Sequence, residues 1–553
     1  MEARKSSDLG AIERASERVI ALGLVELARI RLDHKAYNEA TTLCRNSLDF
    51  EDTPETRLEL AIASLYAQKP ADAVEQASLV AEREPQNALA WNIKGQALLQ
   101  TKDYAGAATS LGKSFELQQD TEPLYALGIA YLAQGEKQKA ADTFSQLLAL
   151  TGDHGWSRVL LGRAYQKQRL PHEAETEFQK ALQLDPRTTS AHYFWAMTLL
   201  EANQWSPTPD VREHLLEELK LNPRDFLTNY WLGYFASKER NYDESDRYLR
   251  LAVELNPSQP ETWLYLGLNA QHHADTHSAE AYFRKAIALT KNLDPKEHLA
   301  IRRAYFALGR ILMSSARKKE GEEVMRQAQE LELVVWAQSQ KNVGDTKAER
   351  GTGVSEAATA DIPETENQNN FSARPGPGLI GGEDPRVTAR PTAKSPHEPS
   401  ANTEAHLYAL LGASLNDLAT AEALEEKYQL ALKHYREAAG WDPRIPGLER
   451  NLGLAAFYVG EHAEAIRLLA KVVRVTPSDA YARAVLGLAY FATQDFGKAV
   501  QTIAPIANLA QQDPQLGLAW AKSLAATGNK KEAERVLREL DKKASVKERT
   551  VSN

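Results

Sequence analysis

Along much of the chain, apolar residues return three and four places apart with polar residues between them, the period of an amphipathic helix. Val19 to Leu32 shows the habit. Its aliphatic run is broken by Glu26, Arg29 and Arg31 on a helical period, which predicts an amphipathic helix rather than a membrane span. Small residues recur in phase within such stretches. Gly162, Tyr165, Ala174, Phe178, Ala181 and Pro186 form an ordered series. It returns as Gly233, Ala236, Ser245, Leu249, Ala252 and Pro257, and again as Gly267, Ala270, Ala279, Phe283 and Ala286. Gly95 to Gly128 is 33 residues; Gly128 to Gly162, Gly233 to Gly267 and Gly453 to Gly487 are each 34.

A glycine inside a helix costs about 0.5–1 kcal/mol relative to alanine. Its return at one register predicts a crossing too close for a larger side chain. Ala174 and Ala181 put small residues on the facing stripe of a second helix, with Tyr165 and Phe178 filling the space beside it. The prolines of Leu184-Asp185-Pro186, Leu221-Asn222-Pro223 and Leu255-Asn256-Pro257 end that second helix.

This series resembles the tetratricopeptide-repeat (TPR) family, whose unit is a 34-residue pair of antiparallel helices. The resemblance implies an all-α superhelical solenoid. In that register about nine repeats precede residue 335 and about four follow residue 403. The glycine place is held by Gly95, Gly128, Gly162, Gly233, Gly267, Gly309, Gly412, Gly453 and Gly487, and by Ala28, Ala61 and Ala521 elsewhere. The sixth repeat is degraded: Ala196 replaces glycine, and Trp205-Ser206-Pro207-Thr208-Pro209 lengthens its turn. Repeat ten has a turn about seven residues too long, around Ala419 to Leu424.

The expected organisation is an N-terminal cap or tail over 1–17, a solenoid over 18–335, a linker over 336–402, a second solenoid over 403–545 and a tail over 546–553. The linker mixes Pro363, Pro375, Pro377, Pro385, Pro391, Pro396 and Pro399 with Gly, Ser, Thr, Glu and Asn. Such a composition buries too little apolar surface to offset its ordering entropy, so it is expected to be disordered. Either the two blocks are independent, or the apolar end at Leu333, Val334, Val335 and Trp336 receives Leu407 to Leu411 in one continuous stack.

A net charge of −9 argues against nucleic acid as a partner. The single cysteine, Cys44, cannot form an internal disulfide and occupies the buried place of Phe178, as a core thiol. The first residues carry no apolar run of signal-peptide length, so a cytoplasmic protein without membrane insertion is the default; a processed or mis-called start would make it periplasmic or secreted.

Candidate chemistry is sparse. Gly376-Pro377-Gly378-Leu379-Ile380-Gly381 matches the dinucleotide fingerprint as text, but proline removes a needed amide and no strand or helix flanks it. His272, His273 and His277 cluster beside Asp275 at a turn, with no thiolate near, and read as solvated turn histidines rather than a metal site. No Walker loop, Gly-x-Ser-x-Gly elbow or His-Glu-x-x-His occurs. The expectation is a protein that is not an enzyme and uses no cofactor or metal.

The resemblance further implies that the first helix of each repeat lines an inner wall, at positions two, five, six, nine and twelve, with the glycine at eight. In repeats four to eight these include Tyr125, Trp156, Tyr193, Phe194, Tyr230, Trp231, Tyr234 and Tyr265. Large amphipathic rings suit a hot-spot surface. They are the candidate site for an extended peptide or an amphipathic partner segment, the alternative being that they pack on one another as core. Trp91, Trp195, Trp263 and Trp520 fall at positions facing the repeat interior. The Lys/Asn/Asn/Lys/Arg clamp of chaperone-tail adaptors is not matched: Asn92 and Asn451 stand near its places, but the cations are missing. The leading function is a non-enzymatic protein-interaction scaffold; the alternative is a self-assembling structural or envelope-assembly solenoid, whose end faces at Trp336 or Lys530 to Leu540 stack between copies.

Overall fold

A computed structural model describes residues 9–203, 205–290, 301–331, 333 and 401–551. Among them no strand occurs, and helices follow one another in antiparallel pairs. The expected linker, the dinucleotide-like text at 376–381 and Val334 to Trp336 lie outside the described residues.

The repeated glycines sit at helix crossings. A Cβ added to Gly128 would stand 2.2 Å from Phe144 Cε1, and one on Gly162 2.4 Å from Phe178 Cε1. Gly267 meets Phe283 and Gly453 meets Leu469 in the same way, each partner sixteen residues on. Ala28 stands in the same relation to Cys44, and both are fully buried. The turn between the helices of a pair has its own period. Lys35, Gln68, Lys102, Arg169, Arg240, Ala274, Glu426 and Gln494 adopt left-handed backbone there, with φ between 56° and 65°. Gly135, Gly460 and Gly528 take the same place in other repeats.

Repeat ten departs from the expected register. A Cβ on Gly412 would meet Ile445 and Asp442 rather than a residue of its own second helix. Ala419, buried with Ala431 and Tyr435, holds the small-residue place instead. The seven extra residues therefore lengthen the first helix, Ala401–Leu424, and leave its turn ordinary. Those added turns carry Leu407, Tyr408 and Leu411, which have packing of their own to do.

The chain forms two compact units, Met1–Pro85 together with Pro391–Asn553, and Gln86–Arg390. In the first unit, the first repeat shares a core with residues of the C-terminal repeats from Leu407 to Ala489. The first helix, Leu9–Asp33, lies along Ala401–Leu424, and Ile20, Leu24, Leu27 and Ile30 pack with Leu411, Leu415 and Leu418. Arg31 donates to both carboxylate oxygens of Glu404 at 3.0 and 3.2 Å and to the Tyr408 hydroxyl at 2.8 Å. The Lys427 ammonium reaches Glu13 at 3.2 Å. Leu407 to Leu411 is thus taken up by the first helix. The reason is visible in that helix: besides the stripe facing its own partner, it carries a second apolar stripe at Ile20, Leu24 and Leu27.

In the second unit the sixth repeat carries a buried carboxylate where its neighbours have alanine. Glu218 is buried at that place on Pro209–Leu221, after Val211 and Leu215. It accepts from the backbone N–H of Ser190 at 2.7 Å and of Tyr193 at 3.3 Å, and so satisfies open donors at the start of Ala191–Ala202. Burial raises its pKa above the ordinary carboxylate range, and the backbone donors oppose that rise.

Candidate functional site

The helices Phe226–Lys238 and Pro260–His272 bring Tyr230, Trp231, Tyr234 and Tyr265 into one cluster. Tyr234 and Tyr265 meet edge to face at 4.9 Å, and Tyr230 touches Tyr234 at 6.3 Å and Tyr265 at 6.5 Å. The rings pack so closely that Tyr230, Trp231, Tyr234 and Tyr265 are only 2, 8, 5 and 7% exposed. Position five, six and nine side chains from successive repeats converge here, because their helices run side by side.

Tyr193 and Phe194 extend the aromatic surface from Ala191–Ala202, half-buried and 5.3 Å apart. Burial raises the pKa of the Tyr193 hydroxyl above its ordinary value. Phe194 stacks on Phe178 at 6.4 Å, with the Arg163 guanidinium 4.5 Å above its ring. Tyr125 is buried against Phe144 and donates to the Leu160 carbonyl at 3.3 Å. Trp156 is half-buried, beside His154. Most of the eight residues therefore touch one another or the core.

Positive charge lies beside these rings. Burial pushes the Tyr125 and Tyr234 hydroxyls up to about 12, opposed by Arg163 at Tyr125 and by Arg303 at Tyr234. Tyr265 is raised further by burial, again against the field of Arg303. Arg303 and Arg310, on Arg302–Met313, are exposed, and Lys238 lies 5.7 Å over the Tyr234 ring.

A second aromatic group, in the other unit, escaped the sequence reading. Tyr428 stacks on Tyr458 at 4.4 Å with rings 14° apart, and the Tyr458 and Tyr481 hydroxyls are 2.7 Å from each other. Arg450 lies 5.7 Å over the Tyr481 ring and donates to Asp479 at 2.6 Å. Tyr458 and Tyr481 are 44 and 48% exposed, far more than the cluster above. Tyr481 stands at position two of its repeat, one of the wall places, so the signal was present in repeats beyond the eighth.

The remaining sequence candidates have ordinary surroundings. Cys44 is buried and desolvation pushes its thiol up to about 12, which removes thiolate chemistry at neutral pH. His272 stacks on Tyr242 at 4.2 Å, and His273 lies 3.7 Å from Asp243. Among the described residues no group of three or more His, Cys, Asp and Glu side chains is placed to hold a metal ion. Trp520 is buried as expected, whereas Trp91, Trp195 and Trp263 are half-buried. No described helix is long and apolar enough to cross a membrane.

Comparison with known proteins agrees with this architecture. Tetratricopeptide-repeat family descriptions match residues 58–121 and 450–514, 124–155, and 157–188, 228–259 and 303–333. Superkiller protein 3 of Saccharomyces cerevisiae is 26% identical over 163 residues, which is 27% of this chain and 11% of that protein. BBSome complex member bbs-4 of Caenorhabditis elegans is 23% identical over 192 residues, 34% of this chain and 41% of the relative. The chain thus spans well under half the length of either. Among solved structures, TTC0263, a thermophilic TPR protein of Thermus thermophilus, is 22% identical, with a TM-score of 0.27, over 32% of this chain and 99% of its own. PilF of Pseudomonas aeruginosa is 19% identical, with a TM-score of 0.29, over 37% of this chain and 92% of its own. The likeness to these two structures concerns the fold alone.

Proposed function

The chain belongs to the tetratricopeptide-repeat family, and we propose that it is a non-enzymatic scaffold that holds a partner protein segment against the first helices of repeats five to nine. The observation that carries this reading is the Tyr230–Tyr234–Tyr265 cluster with exposed Arg303 acting on its hydroxyls. Packed rings make a floor whose conformational entropy is already lost, so docking against them is less costly in ordering. Arg163 and Arg303 border that floor, and their charge favours a segment with carboxylates beside its apolar residues.

Burial decides how this is tested. Alanine at Tyr230, Trp231 or Tyr234 removes a core ring, a loss of about 3–5 kcal/mol each, and would unfold the repeat whether or not it binds anything. Charge reversal at the rim spares the core. Affinity capture is therefore compared between the natural chain and the pair Arg163→Glu with Arg303→Glu, with Arg474→Glu as a control for general charge. Proteins that bind the natural chain and the control, and are lost with the rim pair, support the reading. Equal capture by all three, with unchanged circular dichroism, rejects it.

A further inference from the structure

We propose that His192 and His214 form a two-imidazole site for a divalent transition ion, copper(II) or nickel(II), linking the two helices of the sixth repeat. His192 lies on Ala191–Ala202 and His214 on Pro209–Leu221. Their Nδ1 atoms are 2.9 Å apart, with ring centroids at 5.2 Å and planes at 35°. Both rings are half-buried, open enough for an ion to arrive from solvent. The His214 ring is steadied by Trp195, stacked on it at 4.2 Å.

The separation is that of the hydrogen bond between the rings, and it is also close to the spacing two neighbouring donors of one ion need. Metal–imidazole bonds are about 2.0–2.1 Å, so two donors 2.9 Å apart subtend an angle of about 90°. That suits neighbouring positions of a tetragonal copper(II) or nickel(II) centre, whereas tetrahedral zinc needs donors about 3.3 Å apart. Two donors leave the other positions to water, which makes the ion exchangeable.

Proton bookkeeping is also favourable. One Nδ1–H now donates to the other Nδ1. For both Nδ1 lone pairs to face an ion, that ring takes the tautomer with its proton on Nε2, and no net proton is released. Glu213, Glu217 and Asp210 of the same helix add negative potential at the pair. Lys220 opposes them but is bound to Glu217 at 2.5 Å. The sixth repeat also has alanine rather than glycine at the crossing, Ala196, and a lengthened turn.

The test uses the full chain and nickel(II) chloride in titration calorimetry at pH 7, comparing the natural protein with His192→Gln, His214→Gln and His272→Gln. One equivalent of nickel is expected to bind the natural chain and His272→Gln. At least a tenfold loss of affinity is expected for each of the other two. Copper(II) added to the natural chain should quench Trp195, a change absent from Trp195→Phe. Equal nickel binding by all four proteins, or none by the natural chain, shows that the two rings are only hydrogen-bonded to each other and overturns the site. If a glutamine variant loses helicity, the Trp195 quench in the natural chain decides the matter.

Discussion

Gly23 on the first helix lies directly beneath Leu411, which is nearly four hundred residues away in the chain: a Cβ at Gly23 would stand 2.9 Å from Leu411 Cδ2. The absence of a side chain lets Leu9–Asp33 and Ala401–Leu424 approach. Leu411, Leu415 and Leu418 then pack with Ile20, Leu24 and Leu27. The C-terminal repeats are held by this seam as well as by the covalent chain. With a protease site placed at residue 365, the two cleaved parts should co-elute on size exclusion. Leu411→Asp buries an unpaired carboxylate, a penalty of several kcal/mol, and should make them elute separately. Co-elution in that variant would show that the seam does not hold them.

Glycines of two kinds should respond in opposite directions. Gly128 has no room for a methyl against Phe144, so Gly128→Ala should destabilise by roughly 1–3 kcal/mol through overpacking. Gly112, inside Tyr104–Leu117, has nothing within 4 Å of the place a Cβ would take. Gly112→Ala should stabilise by about 0.5–1 kcal/mol from helix propensity alone. Urea melts of the two variants would separate crossing glycines from incidental ones.

This contrast explains what could be read from the chain. Gly128, Gly162 and Gly453 were legible because a costly residue returned at one spacing, and spacing is local information. Gly412 misled for the same reason: it keeps the spacing of neither its own second helix nor the seven added residues, and only Ala419 beside Tyr435 reveals the register. The pairing of Leu24 with Leu411 could not be read at all, since a second apolar stripe on a helix does not say what covers it. The aromatic residues were legible as a group by position. Their burial was not, because ring packing depends on the neighbouring repeat as much as on their own.

An ion-pair node gives a pH signature. Glu280 accepts from both terminal nitrogens of Arg317 and from Arg284 Nε at 2.9 Å, tying the second helix of repeat eight to the turn of repeat nine. The Arg317 guanidinium, aided by Arg284, pulls its carboxyl down to about 2, against a smaller desolvation effect. A lowered carboxyl binds protons less readily in the folded chain than in the unfolded one. Its contribution is therefore present above the ordinary range near 4.5 and is lost as pH falls from there toward 2. Because the arginines are solvent-exposed, the effect should be no more than roughly 1 kcal/mol. Glu280→Gln should be less stable than the natural chain at pH 6 and equal to it at pH 2. A constant difference across that window would contradict the assignment.

The left-handed turn residue of each repeat offers a way to stabilise the array without touching a contact. Lys102 has φ of 64° and is exposed between Ala88–Gln100 and Tyr104–Leu117, and Gly135 takes the same place one repeat later with φ of 79°. A side chain in that conformation is strained by roughly 1–2 kcal/mol, and glycine is not. Against this, glycine makes the unfolded chain more mobile, which returns about 0.4–1 kcal/mol to the unfolded state. The strain relief is the larger of the two, so Lys102→Gly should raise stability by about 0.5 kcal/mol. The reverse change, Gly135→Lys, should lower it by a similar amount, because the same two terms enter with opposite sign. Matched urea melts of both variants check the balance. A gain from Gly135→Lys would mean that chain entropy outweighs strain at this turn, and that lysine and arginine stand there for stability as well as solubility.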